Sequence, residues 1–318
     1  MEIFNHNANV NFLGMRRISI GIAALLMLAS IVLIFTKHLN YGLDFTGGVS
    51  VEAGYQQPIE IGQVRQALAA QGMDNAVVQS LGGTRDVSIR MQPTAAMKDQ
   101  DGNINLDKVS AVVSKALLSS RADVVLKSRS SVSSQVGDEL RNDGSLAAVF
   151  VIIGIGVYLG IRFEFRFAIA ALITEVHDVL VTLGVIALVQ REFDLTVLAS
   201  VLAVIGYSIN DKVVVFDRIR ELFRLARKAE PEEILNRSIN STLSRTIITS
   251  LFTSITMGAL YFFGGPAVHG FAITMLIGIL VGTLSSIFVA SPILLWLGVS
   301  KKDLMPKTKE NPELARRP

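Results

Sequence analysis

The sequence has no cysteine and few charged side chains. The first absence excludes disulfides, thiolate metal sites and a cysteine nucleophile. Only 18% of the 318 residues are Asp, Glu, Lys or Arg, whereas 50% are hydrophobic and the mean hydropathy is +0.47. A soluble domain of this length needs more polar surface, so the composition indicates a membrane protein. The net charge of +3 is too small to indicate a nucleic-acid partner.

The sequence contains several long apolar runs. A bilayer span needs about 20 mostly apolar residues. Six spans are predicted, at residues 18–36, 145–161, 167–189, 195–216, 246–263 and 270–299. The first run continues to Lys37 without a small-residue cleavage site. We therefore interpret it as an uncleaved anchor and not as a signal peptide.

Basic residues in the short loops predict the orientation. They lie between spans two and three, between spans four and five, and after span six, whereas the loop after span three has only Arg191 and the loop after span five has none. The positive-inside rule then places both termini in the cytoplasm. The predicted organisation is an N-terminal tail with the first span (1–36), an extracytoplasmic domain (37–144), spans two to six with a cytoplasmic amphipathic loop at 217–245 (145–299), and a cytoplasmic tail (300–318). Within that loop, apolar residues at helical spacing among many arginines predict an amphipathic helix on the membrane surface, and a solvated connector with a basic face is the alternative.

The segment between spans one and two has the pattern of a small α+β domain. Alternating residues predict strands and residues with helical spacing predict helices, in the order strand 42–53, helix 61–70, strands 76–81 and 87–91 joined through Gly82 and Gly83, helix 106–118 and strand 123–132. Residues 97–105 read as a polar loop. The order matches the ferredoxin-like split βαβ motif. The predicted fold class is therefore a polytopic α-helical membrane protein with one ferredoxin-like domain between spans one and two.

Charged residues inside the spans are the candidates for function, because each costs about 2.5–3.5 kcal/mol at mid-membrane on insertion scales. They are Glu175, His177 and Asp178 in span three, Asp211 and Lys212 in span four, and Arg245 at the start of span five. Helical spacing places polar stripes on the same three spans, so one hydrated seam is predicted between them. The predicted proton relay is Asp211, Arg245 and Asp178, and the predicted supporting residues are Tyr207, Ser208, Asn210, Thr249 and Thr253.

Each of these charges also has a structural interpretation. We interpret Asp211 as functional and not as a fixed ion-pair partner of Arg245 or Lys212. Arg245 fits a helix-end anchor as well as it fits a functional role. Lys212 points about 100° away from Asp211, so we expect it to reach the membrane interface. His177 is interpreted as a core histidine, and the role of Glu175 stays open.

Several motifs in the sequence resemble one family. They are LDFTGG at 43–48, VG at 136–137, HD at 177–178, GYSIND at 206–211, VVVFDRIRE at 213–221, RT at 245–246 and FGGP at 263–266. Over nearly the whole chain they resemble the SecF family, whose members are the partners of SecD in bacterial Sec protein export. Two positions depart from the family pattern: Lys212 stands where a small or hydroxyl residue is usual, and Glu175 has no counterpart.

The resemblance implies half of a transporter of the RND type, with a periplasmic ferredoxin-like domain. It implies that SecD and this chain form a pseudo-symmetric unit that uses the proton gradient to promote late translocation across the inner membrane. The implied partners are SecD, the SecYEG channel, the translocating preprotein, the lipid bilayer and further inner-membrane accessory subunits. Acids that match Asp211 and arginines that match Arg245 are associated with proton movement in this family, which favours a functional Arg245. We expect no enzymatic activity, cofactor or metal.

Three other functions are compatible with parts of the pattern. An RND-type small-molecule or lipid transporter half is the main alternative, although such proteins usually carry two large extracytoplasmic insertions in one chain. Asp178 and Asp211 on neighbouring spans suggest an intramembrane aspartyl protease, but the Gly-x-Gly-Asp pattern of that family is absent. A membrane assembly factor without energy coupling stays open, and replacing Asp211 would distinguish it because only coupling needs the acid.

The predicted orientation is testable with single cysteines, since the parent chain has none. We expect Gln100→Cys to react with a membrane-impermeant thiol reagent added outside the cell, and Glu230→Cys to react only after the cells are opened. The cysteine-free parent is the control for background. Labelling of Glu230→Cys but not Gln100→Cys from outside would reverse the topology.

Overall fold

A computed structural model of the chain describes residues 10–81, 83–99, 104–225 and 229–299. Parts of the predictions lie outside the described residues. These parts are residues 1–9 of the N-terminal tail, Gly82 of the predicted hairpin turn, residues 100–103 of the polar loop, residues 226–228 of the amphipathic loop and the whole C-terminal tail, 300–318.

The described chain consists of ten α-helices and six strands. In chain order the helices are α1 (Arg16–Lys37), α2 (Leu43–Thr46), α3 (Ile61–Ala69), α4 (Leu106–Ser120), α5 (Ser134–Arg162), α6 (Phe165–Val189), α7 (Leu195–Leu225), α8 (Pro231–Phe263), α9 (Pro266–Ser285) and α10 (Ser291–Trp296). The strands are β1 (Asn40–Tyr41), β2 (Gly48–Tyr55), β3 (Val77–Ser80), β4 (Asp86–Met91), β5 (Val124–Val132) and β6 (Glu192–Phe193). A π-helical turn, Ser286–Ala290, joins α9 to α10.

Six helical segments within the described ranges are long and apolar enough to cross a membrane. They are Leu13–Lys37, Gln135–Arg162, Phe165–Val189, Leu195–Leu225, Pro231–Phe263 and Ala267–Trp296. The six predicted spans are therefore confirmed as candidate spans of a helical membrane protein. Each of them is at least 25 residues long, and a bilayer span needs about 20 residues.

The predicted amphipathic segment 217–245 does not form a helix of its own. Instead α7 continues to Leu225, and α8 begins at Pro231, whose ring suits the first helical position. Apolar residues of both extensions, such as Phe223 and Leu235, are buried in one core with Phe167 of α6. Packing against neighbouring helices thus replaces the predicted contact with the membrane surface.

The strands between the first two spans form a four-stranded antiparallel sheet in the order β3-β4-β2-β5. Residues that alternate along the central strands, such as Val49, Val51 and Ile89, are buried against Leu68 of α3 and Leu117 of α4. Strand β2, predicted at 42–53, begins at Gly48 and not at residue 42. Residues 43–46 form the turn α2 instead, which ends at two glycines with positive φ, 65° at Gly47 and 121° at Gly48.

Several contacts join this sheet to the loop between α6 and α7. Strand β1 pairs in parallel with β6, Asn40 opposite Glu192. The carboxylate of Glu192 forms an ion pair of 2.8 Å with Arg90 of β4, which is almost completely buried. Burial raises the pKa of the Glu192 carboxyl above its ordinary value, and the charge of Arg90 acts in the opposite direction. Asp44 of α2 accepts a hydrogen bond of 3.0 Å from the backbone N–H of Leu195, where α7 begins.

Some glycines in the spans allow close helix packing. Gly278 of α9 lies against Val204 of α7, and Gly282 lies against Ser208. Gly184 of α6 lies against Ser30 of α1, where an added Cβ would sit 2.7 Å from the Cα of Ser30 and overlap its side chain. A side chain at any of these positions would force the helices apart.

Replacing Gly184 by alanine tests this packing. We expect Gly184→Ala to lower the free energy of unfolding by about 1–3 kcal/mol, because the backbone of α1 must move to admit the methyl group. The matched control is Gly154→Ala in α5, where an added Cβ has no atom within 4 Å. Thermal unfolding of both variants in detergent is the measurement. Equal stability of the two variants would show that α1 does not pack on α6 as described.

Candidate functional site

Polar side chains from three spans meet at Asp178 in α6. Its side chain is completely buried. Asp178 Oδ1 accepts a hydrogen bond of 2.9 Å from Nδ1 of His177. Asp178 Oδ2 accepts hydrogen bonds from Ser208 Oγ at 2.6 Å, Lys212 Nζ at 2.8 Å and Ser285 Oγ at 2.7 Å. Four donors on one carboxylate strongly favour its ionised form.

Lys212 of α7 is the cation of this cluster. Its side chain has 0% exposure, and it stands one helical turn from Ser208, so both face α6. The ammonium donates to Glu175 Oε2 at 2.6 Å, to Asp178 Oδ2 at 2.8 Å and to Ser208 Oγ at 2.9 Å, which uses all three of its N–H groups. The expectation that Lys212 reaches the membrane interface is therefore wrong. Two carboxylates on the neighbouring span hold the ammonium inside instead.

Glu175 lies three residues before Asp178, on the same face of α6. Its exposure is 2%, and its Oε2 accepts the bond from Lys212. Its other oxygen, Oε1, is buried without a hydrogen-bond partner in the described part of the chain. We define Glu175, Asp178 and Lys212 as the charge cluster.

His177 is buried, as predicted for a core histidine, but only one of its ring nitrogens has a described partner. The contact with Asp178 assigns the proton to Nδ1, because an ionised carboxylate accepts only. Nε2 has no hydrogen-bond partner within the described ranges. His177 lines a groove of about 310 Å³ between α1, α6 and α9, which is otherwise mostly apolar.

Asp211 lies next to Lys212 in sequence but on another side of α7. Consecutive residues of an α-helix are about 100° apart around its axis, so Asp211 and Lys212 face different neighbours. Asp211 shares a face with Tyr207, because residues four apart lie on the same side of a helix. Tyr207 donates a hydrogen bond of 3.2 Å to Ser250 of α8, and Ser250 is 2.6 Å from Thr283 of α9. Asp211 is 3% exposed, and its Oδ2 is buried with no hydrogen-bond partner among the described residues.

The other predicted relay and seam residues stand at exposed or partly exposed positions of α7 and α8, which we call the outer side of these helices. Arg245 is exposed, and its charge acts on Asp211 over a distance, but no ion pair joins the two within the described ranges. Asn210 is also exposed. Thr249 and Thr253 bond to carbonyls of their own helix, at 3.0 Å and 2.8 Å. The structure thus gives two polar sites, the charge cluster and Asp211, in place of one seam.

Sequence reasoning missed two contacts made by the charge cluster. Ser285 in α9 donates to Asp178, but a single serine in an apolar run carries no distinctive signal. The contact between Glu175 and Lys212 could have been predicted, because both are charges inside a span and both depart from the family pattern. In the structure Glu175 Oε2 and Lys212 Nζ are 2.6 Å apart.

Comparisons with known proteins identify relatives over nearly the whole chain. The family described as "Protein export membrane protein SecD/SecF, C-terminal" matches residues 101–300, and the "SecD/SecF GG Motif" matches residues 32–59. A "Protein translocase subunit SecF" from Pseudomonas aeruginosa is 43% identical over 93% of this chain and 94% of its own length. One from Escherichia coli O157:H7 is 40% identical over 98% of this chain and 95% of its own length.

Solved structures of SecDF have a similar fold. The crystal structure of SecDF from Thermus thermophilus, described as a translocon-associated membrane protein, matches 92% of this chain with a TM-score of 0.82 and 31% identity. A crystal structure of SecDF in a "Super-membrane-facing form" matches with a TM-score of 0.67 and 32% identity. This chain spans 39% of the length of each SecDF chain.

The hydrogen bond from Ser285 to Asp178 is testable against a second buried serine nearby. We expect Ser285→Ala to lower the free energy of unfolding by about 1.5–3 kcal/mol, because a buried carboxylate loses a donor. Ser291→Ala is the control, since its hydroxyl is equally buried but has no hydrogen-bond partner among the described residues. Thermal unfolding of the two variants should differ in this direction. Equal losses would mean that Ser285 is not a donor to Asp178.

Proposed function

Because this chain belongs to the SecD/SecF family of protein export membrane proteins, we propose that it is an accessory subunit of bacterial protein export. It acts with SecD beside the SecYEG channel in the inner membrane. There it uses the proton gradient to promote the late translocation of preproteins. The similarity to SecF proteins over more than nine-tenths of the chain supports this role.

The proposal includes the periplasmic location and the ferredoxin-like fold of the domain at residues 37–144. The β-α-β-β-α-β order of the elements β2 to β5 and the antiparallel strand order β3-β4-β2-β5 support this fold. The basic residues in the short loops support cytoplasmic termini, with spans two to six at residues 145–299 and the tail at 300–318.

The outer side of α7 and α8 is the proposed contact with SecD. Asn210 and Arg245 are exposed on this side, and Thr249 and Thr253 are partly exposed. An arginine facing lipid inside a span is costly, whereas the same side chain packed against polar groups of another span is not. The similarity to SecDF, in which this chain corresponds to 39% of the length, supports a partner that supplies the missing spans.

Asp211 is the residue on which the coupling proposal depends. It is buried, its Oδ2 has no hydrogen-bond partner within the described ranges, and it lies near the proposed contact with SecD. An acid that no fixed donor holds can exchange its proton without breaking a network. Protonation removes the attraction to Arg245 and deprotonation restores it, so the two helices have two preferred arrangements. Asp178, held by four donors, then stays charged in the separate charge cluster, on another face of α7.

A path for this motion leads from the spans to the sheet domain. Helix α6 ends three residues before β6, which pairs with β1, and Glu192 of β6 is held by Arg90 of the sheet. A shift of α6 against α7 therefore moves the edge of the domain as well. We propose that this contact converts proton exchange at Asp211 into movement of the domain that contacts the preprotein.

The coupling role of Asp211 is testable by substitution. We expect Asp211→Asn, which is nearly isosteric but never charged, to keep folding and partner binding and to lose the export that depends on the gradient. Asp211→Glu should keep part of it. The measurement is completion of preprotein translocation into inverted membrane vesicles, with and without an uncoupler.

Glu221→Gln is the matched control, because Glu221 is an exposed acid on the same helix that pairs only with Arg218 in the described chain. Its vesicles should respond to the gradient like the parent. If Asp211→Asn vesicles also respond like the parent, Asp211 is a structural residue and the coupling proposal fails at this position.

A further inference from the structure

The charge cluster contains one positive and two negative side chains in a site closed to solvent. Glu175 and Lys212 pair at 2.6 Å, and Asp178 and Lys212 pair at 2.8 Å. All three side chains are at most 3% exposed. If all three were ionised, the cluster would hold one net negative charge, and an uncompensated buried charge is strongly unfavourable. One carboxylate must therefore carry a proton while the site is closed.

Hydrogen bonding decides which carboxylate carries it. Asp178 accepts from four donors, and removing its charge would weaken all of them. Glu175 accepts from Lys212 alone through Oε2, and its Oε1 has no hydrogen-bond partner in the described chain. Protonation at Oε1 breaks no described hydrogen bond and removes the excess charge. Glu175 is thus the cheaper place for the proton.

The neighbouring elements supply no lysine or arginine at this depth in the described part of the chain. Helix α7 adds the acid Asp211, next to Lys212, and α6 itself adds His177, which donates from Nδ1 to Asp178. A second ring proton on His177, at Nε2, would be buried with no acceptor among the described residues, so the histidine is a poor place for the compensating charge. The helices α1 and α5 carry their charged side chains towards their ends, and α9 and α10 add only His269, near the start of α9. The charges on α1 and α5 are Arg16, Arg17, Lys37, Asp138, Glu139, Arg141, Asp143 and Arg162.

We propose that Glu175 is a proton-binding site of this chain, separate from Asp211, and that Lys212 keeps Asp178 ionised beside it. The step is a simple dissociation: the Oε1–H bond breaks, the proton passes to water, and the cluster gains one negative charge. Release therefore requires water to reach the space between α6 and α7. Binding closes that space again. The inference goes beyond the proposed function and does not depend on Asp211 being the coupling acid.

Infrared spectroscopy of the full chain in lipid nanodiscs tests the proposal, because a protonated carboxylic acid has a carbonyl band that a carboxylate lacks. Charge counting predicts loss of the band when either acid of the cluster is removed, so substitution alone cannot locate the proton. Isotopic labelling of the carboxyl carbon can. We expect a band that shifts when glutamate is labelled, does not shift when aspartate is labelled, and disappears in Glu175→Gln.

Lys212→Met gives an independent readout that does not require Glu175→Gln to fold. Without the ammonium both carboxylates of the cluster need a proton, so its carboxylic-acid absorbance should roughly double, with the added part shifting on aspartate labelling. Glu60→Gln, an exposed acid of the sheet domain, is the control and should change nothing.

Three results would overturn the proposal: no glutamate-dependent band, a glutamate band that persists in Glu175→Gln, or a cluster band that shifts only with labelled aspartate. A band that shifts with labelled aspartate and disappears in Asp211→Asn belongs to Asp211. Failure of the Asp211 proposal in the vesicle assay would leave the Glu175 result unchanged.

Discussion

A charge inside a membrane must be neutralised and hydrogen-bonded by the protein itself, and the arrangement of the spans in this chain depends on that constraint. Lys212 can be buried only where α6 brings Glu175 and Asp178 within 2.8 Å of its ammonium. Ser285 fixes α9 to the same carboxylate. The close approach that this needs is possible because Gly278 and Gly282 leave room for α7. Electrostatics and steric fit therefore select the same packing of α6, α7 and α9.

The number and positions of the spans were largely predictable, because the length of each apolar run can be compared directly with the thickness of a bilayer. All six candidate spans were found in this way, and the errors lie at their ends. Residues such as Phe223 and Leu235 were assigned to a surface helix, since a basic helix with one apolar stripe has the same pattern whether the stripe meets lipid or protein. In the sheet domain, the alternation of residues 42–53 hid the turn α2, whose two glycines end it with positive φ.

The candidate site was predictable only as a set of residue types. Burial of Asp178 and Ser208 against other polar groups was an expectation from residue type alone, because an acid and a hydroxyl on apolar helices need polar partners; in the structure the two side chains are buried and hydrogen-bonded to each other. The spacing along α7 separates Asp211 from Lys212 but does not say which neighbour each one faces. Lys212 was assigned to the interface for this reason, and Thr249 was assigned to a seam although its hydroxyl is satisfied by its own helix. The periodicity of one helix shows which residues share a face, but the neighbour that each face contacts is determined by how the helices pack.

The π-helical turn Ser286–Ala290 interrupts the last span between α9 and α10. Such a turn holds one residue more than an α-helical turn would, so the residues after it are rotated relative to those before it. Before the turn the span presents Gly282 and Ser285 to α7 and α6; after it, Leu294 joins the core that contains Phe216 and Leu235. The span therefore packs on α6 and α7 before the turn and joins a core that includes α7 and α8 after it. Deleting a single residue here would restore an ideal helix and bring the second half of the span out of phase with its core, although the span would remain long and apolar. Sequence length is thus as strictly constrained at this point as residue identity.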